Sequence, residues 1–319
     1  MTTKTVPEIS WGRRLKGLLA LIRFPATATT TVLMALLALC NAAGPISWSA
    51  VVLAALSYFC VSSSGFAIND YFDVDIDAIN KPHRPIPAGI LSRRAALTVF
   101  AVALLGSMAL ALLVNRTFAI VTISNAWLVA AYSAFLKRRG GLLANVLMGI
   151  YVALLVLSGV VALGEPAPHV FLTCAALSVY MIGNQVIMCI EDLKGDRAQG
   201  ARTLPITIGI GKSLVVALTL MATGLVLLVL TYRGPFELVP LAGILAANVL
   251  IFARLIGSPT PQVAGRLRVF LALSMIMMVI VVILHGPRIV GDGGARAGAS
   301  SAGSVGQVDP QDGSPRAPR

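Results

Sequence analysis

Apolar stretches about as long as a bilayer is thick recur along the whole chain. They fall at residues 22–42, 48–68, 95–113, 118–135, 142–163, 171–190, 214–232, 238–255 and 269–284. A segment of this kind has no water to bond its backbone, so it must satisfy its own N–H and C=O groups as a helix. The mean hydropathy of +0.86 and the 12% of charged residues fit no soluble domain. The expected fold is therefore an all-α, polytopic membrane bundle of nine transmembrane helices. Residues 1–21 are expected to form a cytoplasmic N-terminal segment, and Met1 to Ser10 is too polar for a signal peptide. Residues 22–285 form the membrane domain. From 286 to 319 the chain is mostly Gly, Ser, Ala, Pro and charge, a composition that cannot bury a core, so a disordered tail is expected.

The charges orient this bundle. With the N-terminus in the cytoplasm, the inner side receives Lys4, Arg13, Arg14, Lys16, Arg23, Lys81, Arg84, Arg93, Arg94, Lys137, Arg138 and Arg139. It also receives Lys194, Arg197, Arg202, Lys212, Arg254, Arg266 and Arg268, whereas the outer loops receive only Arg116 and Arg233. That asymmetry supports both the odd span count and a cell-membrane protein with its N-terminus inside. The formal charge of +12 is then topology and contact with anionic membrane lipid, not nucleic-acid binding. Cys40, Cys60, Cys174 and Cys189 lie within apolar segments without metal-ligand spacing and are expected as free thiols.

Against this background, acid is concentrated in two places. One is Asp70-Tyr71-Phe72-Asp73-Val74-Asp75-Ile76-Asp77; the other is Glu191-Asp192-Leu193-Lys194-Gly195-Asp196. Asp70, Asp73 and Asp77 share one helical face, as do Asp192 and Asp196, with Asp75 opposite. The pattern Asp-x-x-Asp-x-x-x-Asp returns four spans later as Cys189-x-x-Asp192-x-x-x-Asp196, with Cys in place of the leading Asp. An even number of spans keeps both clusters on the cytoplasmic side and points to a parallel four-helix internal repeat with a site between its halves. A single Asp pair at a helix end is ordinarily just solvated. Two matched clusters, each followed by a basic loop, call for a bound cation, and Mg²⁺ bridging carboxylates to a phosphate ester fits. The first loop offers Lys81 and Arg84 between prolines, the second Arg197 and Arg202, and Lys137-Arg138-Arg139 closes the fourth span on the same side. His83 reads as a loop residue rather than a ligand or base.

These residues resemble the UbiA superfamily of intramembrane prenyltransferases. The matching elements are Asn69-Asp70-Tyr71-Phe72-Asp73-x-x-x-Asp77, Lys81-Pro82-x-Arg84-Pro85-Ile86-Pro87-x-Gly89, Asp192-x-x-x-Asp196 with Gly200 and Thr203-Leu204-Pro205, and Tyr132-Ser133 before Lys137-Arg138. The resemblance implies a helical bundle with a central cavity and Mg²⁺-dependent transfer of a prenyl group from a polyprenyl diphosphate. It makes Asp70, Asp73, Asp77, Asp192 and Asp196 the metal-binding and catalytic carboxylates, with Asn69 at the metal and diphosphate, and Lys137 and Arg138 as diphosphate contacts. The loop wording is closest to the branch of digeranylgeranylglyceryl phosphate synthase and the homogentisate prenyltransferases. That branch often has Lys-Asp where this chain has Met188-Cys189, and Asn where it has Ala26-Thr27.

Ionisation of an allylic diphosphate leaves a cation that aromatic faces can stabilise; Tyr71, Phe72, Trp127 and Tyr132 are candidates. The Gly-, Ala- and Arg-rich composition points to a bacterium with a GC-rich genome, and so to a small phenolic acceptor such as 4-hydroxybenzoate. The alternatives are a glycerol-phosphate lipid hydroxyl as acceptor and a terpene cyclase with none. A transporter is disfavoured, because its charged site belongs near the midplane.

Overall fold

The computed structural model describes residues 10–42, 45–137, 141–232, 234–258 and 260–284. Arg138, Arg139 and the tail from 285 onward lie outside the described residues. The described chain is helical, with no strand: α1 Trp11–Leu21, α2 Phe24–Cys40, α3 Trp48–Phe72, α4 Val74–Asn80, α5 Arg93–Val114, α6 Arg116–Ala131, α7 Leu142–Val161, α8 Pro168–Glu191, α9 Leu193–Ala198, α10 Leu204–Thr207, α11 Ile210–Thr231, α12 Pro235–Gly257 and α13 Pro261–Leu284. Eight helices are long and apolar enough to cross a membrane, and the bent pair α1–α2 makes up to nine. The last span is not short: α13 starts at Pro261 and runs 24 residues.

Helix starts follow local chemistry. Ser47, Ser92 and Asn115 each accept a bond from a first-turn amide, and Pro25 and Pro168 sit where a missing N–H costs nothing. Two boundaries depart from the sequence reading. Residues 11–21, expected as part of a plain leading segment, form α1, which meets α2 at a 48° bend. Arg23, at the bend, takes a left-handed conformation with φ 47° and ψ 54°, strained for a residue with a Cβ. The acid clusters, moreover, are not the ends of unbroken helices. The chain breaks at the middle acid of each, Asp73 between α3 and α4 and Asp192 between α8 and α9, and then starts a short helix. Asp75 and Asp77 fall in the first turn of α4, and Asp196 in that of α9, where the helix dipole favours negative charge.

The internal repeat is visible in these bounds. A shift of 119 residues carries Asp73 onto Asp192, and the starts of α3, α5, α6 and α7 onto those of α8, α11, α12 and α13 to within two residues. The backbone agrees at the breaks, with φ −89°, ψ 2° at Asp73 and φ −88°, ψ 4° at Asp192. The most extensive pairings, α3 with α5 and α8 with α11, are equivalent in the two halves. The α8–α11 seam is closed by glycine: a Cβ on Gly183 would lie 2.6 Å from the Ala217 carbonyl, and one on Gly224 2.7 Å from that of Ala176. Small residues matter here because lipid-soluble helices gain their association from close packing rather than from expelled water.

Candidate active site

The two breaks face each other at one end of the bundle. There α4 packs on α9, and Asn80 joins them: its Nδ2 donates to the Asp192 carbonyl at 3.0 Å, and its Oδ1 accepts from the Gly195 N–H at 3.0 Å. Gly195 permits this, since a Cβ there would sit 2.5 Å from Asn80 Nδ2.

Four carboxylates, Asp70, Asp73, Asp77 and Asp196, are buried at 3–6% exposure. Burial of that much charge requires compensation, and three receive it from cations. Arg84 bonds both Asp70, at 3.0 Å, and Asp77. Arg23 reaches the same Asp70 oxygen at 3.2 Å while its guanidinium lies 4.4 Å over the Phe66 ring. Lys137 bonds Asp73 and reaches Asn69 Oδ1 at 3.3 Å. Across the divide Lys81 pairs with half-buried Asp192 at 2.6 Å, and Glu191 with Arg268 at 3.4 Å. Asp196 has no ion-pair or hydrogen-bond partner for its carboxyl among the described residues. Burial, with the Asp192 charge beside it, pushes that carboxyl up to about 6, although Lys137 opposes the shift. Burial also raises the Asp77 carboxyl, against the pull of Arg84. The Lys137 ammonium would lose affinity for its proton on burial, but Asp73 outweighs this and raises it.

A cavity of about 290 Å³ opens beneath this layer. Its upper wall carries Arg23, Asn69, Lys137, Asp192, Asp196 and Thr203; deeper down it is lined by Val129, Met148, Leu155 and Met181. Lys137 arrives there because α6 ends in a π turn, Tyr132–Leu136, which re-aims the residues after it. Tyr132 and Ser133 line the wall in consequence.

The expected site residues fall in different places. Asp70, Asp73 and Asp77 do not line the cavity and are paired instead with Arg84, Arg23 and Lys137. Among the described residues no three acidic, His or Cys groups converge closely enough to hold a metal ion with the cations in these positions. Lys81 and Arg84 are tied to carboxylates instead of facing the cavity, and Arg197 and Arg202 are exposed and off its wall. Arg138 lies outside the described residues. Of the four aromatics only Tyr132 lines the cavity; Trp127 is exposed, and Tyr71 and Phe72 pack on each other at 5.1 Å. His83 and Asp75 are exposed, and Cys60, Cys174 and Cys189 stand as thiols.

The sequence reading passed over Arg23, counted there as a topological charge, and Asn80, Asn145 and Gln185. A polar side chain inside an apolar span is itself a signal of an internal site, and Asn145 and Gln185 carried it.

Residues 28–282 match the model of the UbiA prenyltransferase family. Curated relatives named digeranylgeranylglyceryl phosphate synthase include one from Methanoregula boonei, 34% identical over 74% of this chain and 84% of its own. Another, from Korarchaeum cryptofilum, is 37% identical over 57% of this chain and 66% of its own, so the chain spans about two thirds of that relative. A solved digeranylgeranylglyceryl phosphate synthase superposes with a TM-score of 0.66 at 28% identity, covering 86% of this chain and 99% of the other. A UbiA homologue from Archaeoglobus fulgidus bound to GPP and Mg²⁺ shares the fold, with a TM-score of 0.64 at 19% identity over 83% and 99%. Apolar helices, repeat and family model agree that the chain is a multi-pass membrane protein belonging to the UbiA prenyltransferase family.

Proposed function

We propose that the chain binds a polyprenyl diphosphate through Mg²⁺ and transfers the prenyl group to the hydroxyl of a glycerol-phosphate lipid. The observation that carries this is the cavity wall, which passes from ionic at Asp192, Asp196 and Lys137 to apolar at Met148, Leu155 and Met181. A prenyl diphosphate has the same profile along its length. The names of the curated relatives favour the lipid hydroxyl over the phenolic acceptor expected above.

Mg²⁺ fits the residues present. Asp196 offers a buried carboxyl on the cavity wall with no ion pair among the described residues, and Asp192 stands beside it. Asn69, on the same wall, is a further oxygen donor of the kind this ion takes, and Asp70, Asp73 and Asp77 would join it only by exchanging Arg84, Arg23 and Lys137 for the ion. Bound there, Mg²⁺ would spread the negative charge that grows on the departing diphosphate. The protein supplies the rest. Lys137 and Arg23, both on the wall, are placed to pair with phosphate oxygens. The apolar depth holds the prenyl tail and keeps water from the allylic carbon, and the Tyr132 ring is the aromatic face on hand for its positive charge. The C1–O bond of the donor breaks with its electron pair on the diphosphate. A new C1–O bond forms to the acceptor hydroxyl, whose proton leaves with the diphosphate. The excess of Lys and Arg near this end supports placing it on the cytoplasmic side.

The test is to incubate membranes containing the chain with Mg²⁺ and prenyl diphosphates of several lengths. Parallel samples contain a prenylated glycerol-phosphate, 4-hydroxybenzoate or no acceptor, and products are read by mass spectrometry. An ether lipid is the expected product. A prenylated phenol alone would overturn the acceptor, and hydrocarbon formed without acceptor would show a cyclase.

A further inference from the structure

One polar group in the cavity has no part in holding the donor's head. Asn145, at the end of the first turn of the apolar helix α7, is 3% exposed and lines the cavity, and its Nδ2 has no hydrogen-bond partner among the described residues. Burying an amide donor in a membrane span without a partner is costly, so its presence calls for a ligand atom. Its other end is spoken for: the Cys189 thiol donates to Asn145 Oδ1 at 3.8 Å. A thiol is a donor facing an amide oxygen, and this fixes which way the amide points. Oδ1 faces Cys189 on α8, which leaves Nδ2 as the amide's unpaired donor.

The depth of this pair matters. Cys189 precedes Asp192 by three residues on α8, about 4.5 Å along the helix axis. The diphosphate belongs at the Asp192 level, so its C1–O bond lies about one turn deeper. That is where an acceptor must present its nucleophile. Below Arg23, Lys137, Asp192 and Asp196 the cavity-lining residues bear no charge; their polar members there include Ser62, Asn145, Gln185 and Cys189. The repeat shows what has changed in this half. The position equivalent to Cys189 is Asp70, which is held by Arg23 and Arg84. A carboxylate at 189 would accept rather than donate, and would take the Nδ2 donor for itself.

Resting on the prenyl-transfer reading, we propose that Asn145, oriented by Cys189, is the acceptor subsite. Its amide NH₂ receives an uncharged oxygen of the acceptor, a hydroxyl, ether or carbonyl group adjoining the atom that attacks C1. A phosphate on the acceptor would have to lie higher, with Arg23 and Lys137, and not at this level.

The KM for acceptor and for prenyl diphosphate, measured separately on the full chain in membranes, tests this, with the lipid alcohol and the phenol as separate arms. Asn145→Leu and Cys189→Asp are expected to raise the acceptor KM about tenfold, the scale of one lost hydrogen bond. Donor KM should be unchanged, and Cys189→Ser, which keeps a donor toward Oδ1, should restore an acceptor KM near that of the unmodified protein. Should Asn145→Leu fail to fold, as judged by loss of Mg²⁺-dependent donor binding, the Asp and Ser variants at 189 decide. A donor KM rising by the same factor as the acceptor KM, or Cys189→Ser behaving like Cys189→Asp, overturns the subsite. An unmodified protein that binds no prenyl diphosphate would instead overturn the transfer reading on which the subsite depends.

Discussion

Lys137 and Asp196 are the two most informative side chains, one paired and one not. Lys137 neutralises Asp73, which is 3% exposed, so Lys137→Met leaves a buried carboxylate alone. The expected loss is about 3–5 kcal/mol, read as a lower midpoint for thermal unfolding in detergent. Little change there would mean that Asp73 finds another partner. Asp196 predicts a pH effect. Its carboxyl is raised to about 6 because burial disfavours the charged form, while Mg²⁺ needs that form. As pH falls through 6 the carboxyl takes up a proton, so Mg²⁺ affinity drops about tenfold for each further unit. Mg²⁺ titrations of donor binding at pH 7 and pH 5 check this, and identical midpoints would remove Asp196 from the metal set. The carboxylates themselves were legible in the sequence, because charge is scarce in an apolar chain. Their counter-ions were not: Arg23 and Asp70 are 47 residues apart, and only the bent α1–α2 path brings them together.

Among the elements, the two helix breaks set the geometry. Spacing alone suggested helices running on through the acids; Asp73 and Asp192 interrupt them instead, and the first-half acids, held by Arg23, Arg84 and Lys137, lie off the cavity wall. Periodicity reports which residues share a face, but it is blind to a single residue leaving helical dihedrals. The joint between α4 and α9 is the tightest test of this layer. Gly195→Ala places a methyl group on Asn80 and should push the two short helices apart. We expect activity reduced about 10²-fold by misplacement of the acids, with expression and membrane insertion unchanged. Full activity in Gly195→Ala would show that the joint gives way without consequence.

For the molecule as a whole, membrane architecture was almost fully readable, since hydrophobic length and Lys/Arg placement act directly on topology. The nine expected spans correspond to eight single helices and one bent pair, with α1 the element that a hydropathy reading merges into its surroundings. The orientation has its own check. Cysteine-accessibility labelling at exposed Arg197, as Arg197→Cys, should require a permeant reagent in intact cells, whereas Arg116→Cys should react with an impermeant one. The opposite pattern would invert the bundle.

The duplicated breaks carry one more consequence. A diphosphate has two phosphoryl groups of nearly the same shape, and a receptor built from two identical halves would accept it in either direction, sending the tail toward one half or the other at random. Degeneracy of that kind would be fatal to an enzyme that must expose one carbon to one acceptor. The broken equivalence, an arginine-clamped Asp77 in one half and an Asp196 without an ion pair among the described residues in the other, gives the bundle polarity across its own pseudo-twofold axis. Duplication supplied the pair of jaws, and such departures from it would tell head from tail.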